Sequence, residues 1–104
     1  MKKDILVYLT GEGNYTWLHY LDGNKHLTAQ TLKFLQTLLP NYIRIHKSIL
    51  VNPACIRMIR AFPDSLSGAV VLHDGTELPV SRRRWASMRG QLMRTHYSMK
   101  PAYS

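Results

Sequence analysis

Cysteine is almost missing from this sequence: Cys55 is the only one in 104 residues. That excludes an internal disulfide and a cysteine-based metal cluster, and it fits a reducing compartment such as the cytoplasm. Carboxylates are scarce too. Six Asp and Glu in total leave little material for acid–base or carboxylate–metal catalysis. There is no long apolar run. Stretches such as Ile5 to Leu9 have the length of a strand and fall far short of a bilayer span. The opening Met-Lys-Lys-Asp is basic, but the apolar segment of a secretory leader does not follow it. Internal repeats and low-complexity tracts are also missing.

Positive charge is what the chain has in excess. Fourteen Lys and Arg against six acids give a formal +8. A hydrophobic content of 45% supplies one modest core, so the chain reads as a single compact domain rather than a disordered one. Such a charge on so small a body points to a polyanionic partner: DNA, RNA or an anionic membrane surface. The excess is local. Residues 1–40 carry four Lys and three acids, whereas residues 41–104 carry ten Lys and Arg and three acids. It collects at Arg44 with Lys47, at Arg57 with Arg60, and at Arg82-Arg83-Arg84 followed by Arg89 and Arg94.

The pattern of residues predicts mostly strands. Ile5 to Thr10, Tyr15 to Leu21 and Lys25 to Thr28 read as strands, joined by turns at Gly11-Glu12-Gly13-Asn14 and Asp22-Gly23-Asn24. Alternation places Tyr15, Trp17 and His19 on one face of the second strand, with Thr16, Leu18 and Tyr20 on the other. The period then changes. Leu32, Leu35 and Leu39 share a stripe in a short helix over Thr31 to Leu39, capped by Thr28 or Thr31 and ended by Pro40. Tyr42 to Ile45, Ile49 to Val51 and Cys55 to Phe62 read as strands. Pro63 to Gly68 reads as a loop, and Ala69 to Leu72 and Glu77 to Val80 flank a second Asp-Gly hairpin. Ser81 caps a last helix with a stripe of Trp85, Met88 and Leu92. Residues 93–104 lose the pattern and read as a loose tail. The sum is a mainly β domain of about seven short strands with meander-like connections. Nothing alternates strand with long helix, which excludes a doubly wound α/β fold.

Enzyme signals are weak. Gly11-Glu12-Gly13 lacks a third glycine and a following helix, and a hairpin turn explains it better. The five histidines (His19, His26, His46, His73 and His96) form no pair at metal-ligand spacing. Cys55 has nothing adjacent to lower its pKa and reads as a buried structural thiol. Ser81 is explained by capping. No catalytic constellation emerges, and no cofactor is expected.

Three loops do collect hydrogen-bond donors: Gly13-Asn14-Tyr15-Thr16, Arg44-Ile45-His46-Lys47-Ser48, and Ser81-Arg82-Arg83-Arg84. Arg and Lys pair with guanine O6 and N7 in the major groove, and Asn pairs with adenine N6 and N7. The same side chains also hold phosphates. These segments lie within DILVYLTGEGNYTWLHYLDG, LPNYIRIHKSILVN and DGTELPVSRRRWASMRGQL, which closely resemble the LytTR-type DNA-binding domain of bacterial transcription regulators. The resemblance runs from about Asp4 to Leu92 and keeps the family's order and spacing, leaving 93–104 as a C-terminal tail. It implies an elongated LytTR-like β-β-β arrangement of short antiparallel strands, with loops entering successive major grooves at paired direct repeats in promoters. Residue by residue, it implies a first reading loop at Asn14, Tyr15 and Thr16. The second is Lys47, supported by Arg44, His46 and Ser48. The third is Arg83, flanked by Arg82 and Arg84. Asn52 is expected to shape the turn after the second loop.

The sequence departs from the family in three respects. Only Met1 to Lys3 precede a segment that usually follows one or two further strands. Ile5 to Leu9 is therefore expected to expose a sheet edge, which a homodimer would cover. The receiver domain of such regulators has no counterpart here, so the chain reads as a stand-alone domain or a piece of a longer regulator. Residues 93–104 extend beyond the match. The leading expectation is sequence-specific duplex DNA binding without catalysis or a small-molecule substrate, in the cytoplasm. The runner-up is an RNA-binding domain in which Tyr15, Trp17 and Tyr20 stack on bases. A protein-interaction module is a third reading. A membrane role is the weakest, because the apolar stripe after Ser81 is narrow.

Overall fold

The computed structural model describes residues 5–93 and 98–101. The chain divides into two compact units, residues 1–53 and 54–104.

The first unit is a five-stranded antiparallel sheet backed by one helix. Its elements are β1 (Leu6–Glu12), β2 (Tyr15–Tyr20), β3 (Lys25–Thr28), α1 (Leu32–Leu38), β4 (Ile43–His46) and β5 (Ile49–Val51). The strand order is β3-β2-β1-β5-β4. β1 is therefore central, and this corrects the expectation of an exposed edge at Ile5 to Leu9. On one side β1 pairs with β2, its hairpin neighbour; on the other it pairs with β5, Leu9 facing Leu50. The backbone N–H of Asn52 extends the second pairing by donating to the Val7 carbonyl at 2.8 Å. A three-residue strand returning from further along the chain covers the edge, and nothing in the first strand's own sequence announces it. The argument for a dimer through that edge goes with it.

Thr31, rather than Thr28, caps α1: its hydroxyl accepts the Phe34 N–H at 3.1 Å. Leu32 and Leu35 point into the sheet and form the core with Leu9 and Leu50, joined by Leu6, Leu18, Leu39 and Tyr42. The expected stripe of Leu32, Leu35 and Leu39 is the packed one, while Phe34 and Leu38 are exposed. The alternation expected for β2 also holds at its start, where Thr16 is fully buried beside a half-exposed Tyr15.

The second unit contains β6 (Ile56–Phe62), β7 (Ser67–Leu72), β8 (Glu77–Val80), α2 (Arg82–Met93) and β9 (Ser98–Pro101), in sheet order β8-β7-β6-β9. Cys55 lies in a 3-10 turn before β6 instead of beginning the strand. β7 starts two residues earlier than the sequence suggested. Leu66 takes a positive φ of 55°, which turns the chain tightly enough for Ser67 to pair with Phe62. The hairpin between β7 and β8 turns at Gly75 (φ 93°), where the Thr76 N–H donates to Asp74 Oδ1 at 2.9 Å.

Part of the stretch read as a loose tail is a strand. β9 runs parallel to β6, with Ile59 beside Met99. Four residues held through backbone pairing are too few to show alternation, so a pattern search passes over them. Trp85 and Met88 of α2 are buried, and α2 packs on β7. Gly68 makes that seat. A Cβ there would lie 2.5 Å from Trp85 Cζ3 and 2.6 Å from the Arg60 carbonyl oxygen.

Candidate nucleic-acid interface

In the first unit two turns lie at the same end of the sheet, because β1 leads into one and β5 leads out of the other. Glu12 pairs with Tyr15, so Gly13-Asn14 is a two-residue hairpin turn. Gly13 has φ +64°, which suits glycine at the first central position. His46 pairs with Ile49, so Lys47-Ser48 is the second turn. The Gly11 N–H donates to the Ser48 carbonyl at 2.8 Å and lashes the two together.

The second turn is held rigidly from within. Arg44 Nε donates to the His46 carbonyl at 3.0 Å, Nη1 to Gln36 Oε1 of α1 at 2.7 Å, and Nη2 to the Lys47 carbonyl. One planar guanidinium thus fixes both sides of the turn and ties it to the helix, which a lysine could not do. The Ser48 N–H donates to His46 Nδ1 at 3.2 Å, and the Ser48 hydroxyl lies 2.9 Å from the same nitrogen. A nitrogen that accepts carries no proton, so this hydrogen-bond geometry assigns the imidazole proton to Nε2. Lys47 stands exposed at the tip. Asn52 follows β5, and its side-chain amide donates to the Leu6 carbonyl of β1 at 3.2 Å.

Between these turns and α1 lies a shallow pocket of about 350 Å³. Gly11, Gly13 and Ser48 form one wall, Thr31, Leu32 and Lys33 another, and Arg44 and Lys47 complete it. Among the described residues no carboxylate lines it; Glu12, on the same hairpin, is outside the lining.

The third predicted loop begins α2 in the second unit. The Arg84 N–H donates to Ser81 Oγ at 3.3 Å, and the Trp85 N–H to the Ser81 carbonyl at 2.8 Å, so Ser81 is the cap. Arg82 and Arg83 are exposed and Arg84 is half-buried. Three cations crowd a first turn that holds no acid, the end of a helix where positive charge is unfavourable.

The predicted set therefore separates. Asn14, Tyr15, Lys47, Arg82 and Arg83 are exposed, while His46, Ser48 and Arg84 are partly so. Thr16 requires a correction. It is 0% exposed, and its hydroxyl donates to the Gln30 carbonyl at 2.7 Å, anchoring the entry to α1 rather than facing a partner. Arg44 is half-buried among protein acceptors and supports the turn. Lys33 is missing from the predicted set because its window reads as core-packing helix.

The aromatic residues do not form a stacking platform. Trp17 and Tyr20 lie on opposite faces of β2; Lys25 Nζ lies 5.0 Å from the Trp17 ring, and His26 meets Tyr20 edge-on at 5.6 Å. His19 stacks on Tyr8 at 4.1 Å with 3° between the planes, and its Nε2 lies 2.9 Å from the Thr10 hydroxyl. Burial, and then the charge of Lys25, hold its pKa below the ordinary 6.5. Burial raises the Cys55 thiol, which keeps it inert. Among the described residues, no three His, Cys, Asp or Glu gather to hold a metal, and no helix is long and apolar enough to cross a membrane.

A small β domain that presents braced basic turns, and an arginine-rich helix start, belongs to the class of nucleic-acid-binding modules. Residues 2–93 match the model of the LytTr DNA-binding domain, and the chain belongs to that family. Its fold is similar to a solved structure from Bacillus cereus, described as the LytTr DNA-binding domain of a response regulator. The TM-score is 0.70 and the identity 25%, over 85% of this chain and 80% of that one. Among curated proteins nothing matches the sequence. The protein is thus a mainly β DNA-binding domain of the kind used in transcription regulation, and the family supports duplex DNA over the RNA alternative. The family is not a catalytic one.

Proposed function

We propose that the protein reads duplex DNA through the major groove, with Lys47 and Arg83 as the principal base-reading side chains. Arg44, His46 and Ser48 hold Lys47 in place. Asn14 and Tyr15 contact the duplex from the neighbouring turn, and Arg82 and Arg84 hold phosphates beside Arg83. The observation that carries this reading is the bracing of the Lys47 turn. A flexible lysine discriminates between bases only when its backbone is fixed, and four polar groups fix this one.

The remaining assignments follow from the family. Residues 4–92 form the DNA-binding domain, and the segment 93–104 follows it and adds β9 to its second sheet. The sites are direct repeats in promoters, about one helical turn apart, so that two domains share one face of the duplex. The protein acts in the cytoplasm, without catalysis and without a small-molecule substrate. Selection of bound duplexes from a random pool at stated salt tests the reading. Enrichment of a repeated motif is expected, and recovery of unselected sequence would overturn it. Within the enriched motif, Lys47→Ala should relax preference at one base position and cost roughly 1–3 kcal/mol.

A further inference from the structure

We infer that the pocket between α1 and the two turns seats a backbone phosphodiester of the duplex, and that Lys33 is the side chain that clamps it. This rests on the proposed DNA-reading role of the Lys47 turn, and assigns to the same site a contact that the family resemblance did not supply.

Three features of the pocket point to an anion. Its lining carries Lys33, Arg44 and Lys47 and, among the described residues, no carboxylate. Arg44 is engaged with the His46 and Lys47 carbonyls and Gln36, so it lends charge while staying in place. Lys33 and Lys47 are exposed, and among the described residues neither is paired with an acid. Gly11 and Gly13 add no side chain to their wall, which permits close approach of a tetrahedral group. Thr31 Oγ1 accepts the Phe34 N–H at the start of α1, and the lysine ammonium groups are the charged, mobile donors of the lining.

Geometry selects a phosphodiester over a base. A turn inserted in the major groove has a phosphate backbone on each side, because the groove is only about 12 Å wide. α1 stands beside the Lys47 turn, joined to it through Gln36 and Arg44. A cation on α1 therefore faces the groove wall when Lys47 faces the floor. The helix is also firmly mounted, with Leu32 and Leu35 buried on the sheet and its entry tied through Thr16 to the Gln30 carbonyl. A lysine is a compact point charge on a flexible stem, suited to a phosphate and poorly suited to bidentate base readout.

Lys33 lies in the first turn of α1, where its charge opposes the helix dipole. Lys33→Ala should consequently leave Tm unchanged or slightly raised, and any loss of binding is not a loss of fold. The test measures binding of the full chain, and of its Lys33→Ala and Lys33→Arg variants, to a selected duplex and a random duplex across a salt series. A slope of about −0.9 per phosphate makes one lost contact worth about eightfold at 0.1 M salt, relative to 1 M. Lys33→Ala should weaken both duplexes by that same factor and reduce the salt slope by about one. Lys33→Arg should restore both. Ethylating one phosphate beside the motif should weaken the parent protein and leave Lys33→Ala unaffected. If the parent prefers no duplex, this proposal falls together with the DNA-reading role. If the parent is selective and Lys33→Ala matches it in affinity and slope, the phosphate clamp alone is overturned. A larger loss on the selected duplex than on random DNA would overturn it too, because Lys33 would then be reading bases.

Discussion

The two basic regions of this protein use arginine in opposite ways. In the first unit, Arg44 turns its guanidinium inward onto two carbonyls and a glutamine, and the exposed tip is left to Lys47. In the second, Arg82 and Arg83 stand exposed at the start of a helix whose dipole repels them. One arginine builds the platform, and the others are presented on one. Residue type alone does not separate these roles. What separates them is the backbone acceptors they meet: the His46 and Lys47 carbonyls for Arg44, and none among the described residues for the Arg82 and Arg83 side chains.

The largest expected effect tests the platform of the second region. Gly68→Ala forces a methyl group against Trp85 and the Arg60 carbonyl, and backbone cannot yield as a side-chain end can. Urea unfolding should show a loss at or above the upper end of roughly 1–3 kcal/mol. An unchanged midpoint would mean that Trp85 does not seat α2 on β7. Next comes Arg83→Ala, which should cost roughly 1–3 kcal/mol in binding to a selected duplex while leaving the fold intact. Arg44→Met keeps the stem and removes the fork. It should lower stability by about 1–2 kcal/mol, since it orphans partly buried acceptors, and weaken DNA binding with it. If Arg44→Met left unfolding unchanged and Arg83→Ala did not, the contrast would be reversed. A smaller effect checks the dipole: without DNA, Arg82→Ala should raise stability by about 0.3–1 kcal/mol at low salt, and added salt should erase the gain.

The strands flanked by turn residues were legible in the sequence because each signal is local. Asp22-Gly23 and Asp74-Gly75 mark hairpins, Thr31 and Ser81 mark helix starts, and the leucine stripe marks the packed face of α1. What escaped is non-local. β5 covers β1 from some forty residues away, and β9 pairs with β6 from about as far. At the site, the loops could be located, but the inward or outward aim of each residue could not. Thr16 follows two exposed residues and is nevertheless buried, because alternation across β2 turns it toward the Gln30 carbonyl. Lys33 carried no motif, and only the pocket draws attention to it.

The two units should also part company as pH changes, in opposite directions. His19 of the first unit has a folded pKa below the ordinary 6.5, chiefly because its ring is partly buried, and secondarily because the charge of Lys25 is near. As pH falls below 6.5 the unfolded chain takes up a proton first, so stability from this group is complete above that value and declines through the folded pKa. Cys55 of the second unit is shifted upward by burial from its ordinary 9.0. Its contribution is complete below that value, and it is lost as pH rises through the folded pKa, because the unfolded thiol ionises first. Each unit holds one of the two tryptophans, Trp17 and Trp85. Single-tryptophan variants therefore report them separately. The Trp17 signal should become easier to unfold in urea between pH 7 and pH 5, and His19→Gln should flatten that dependence. The Trp85 signal should weaken above pH 9, and Cys55→Ala should flatten it there. Parallel pH profiles for both tryptophans would mean that the chain unfolds as a single cooperative body, and that the braced turn and the arginine helix share one stability.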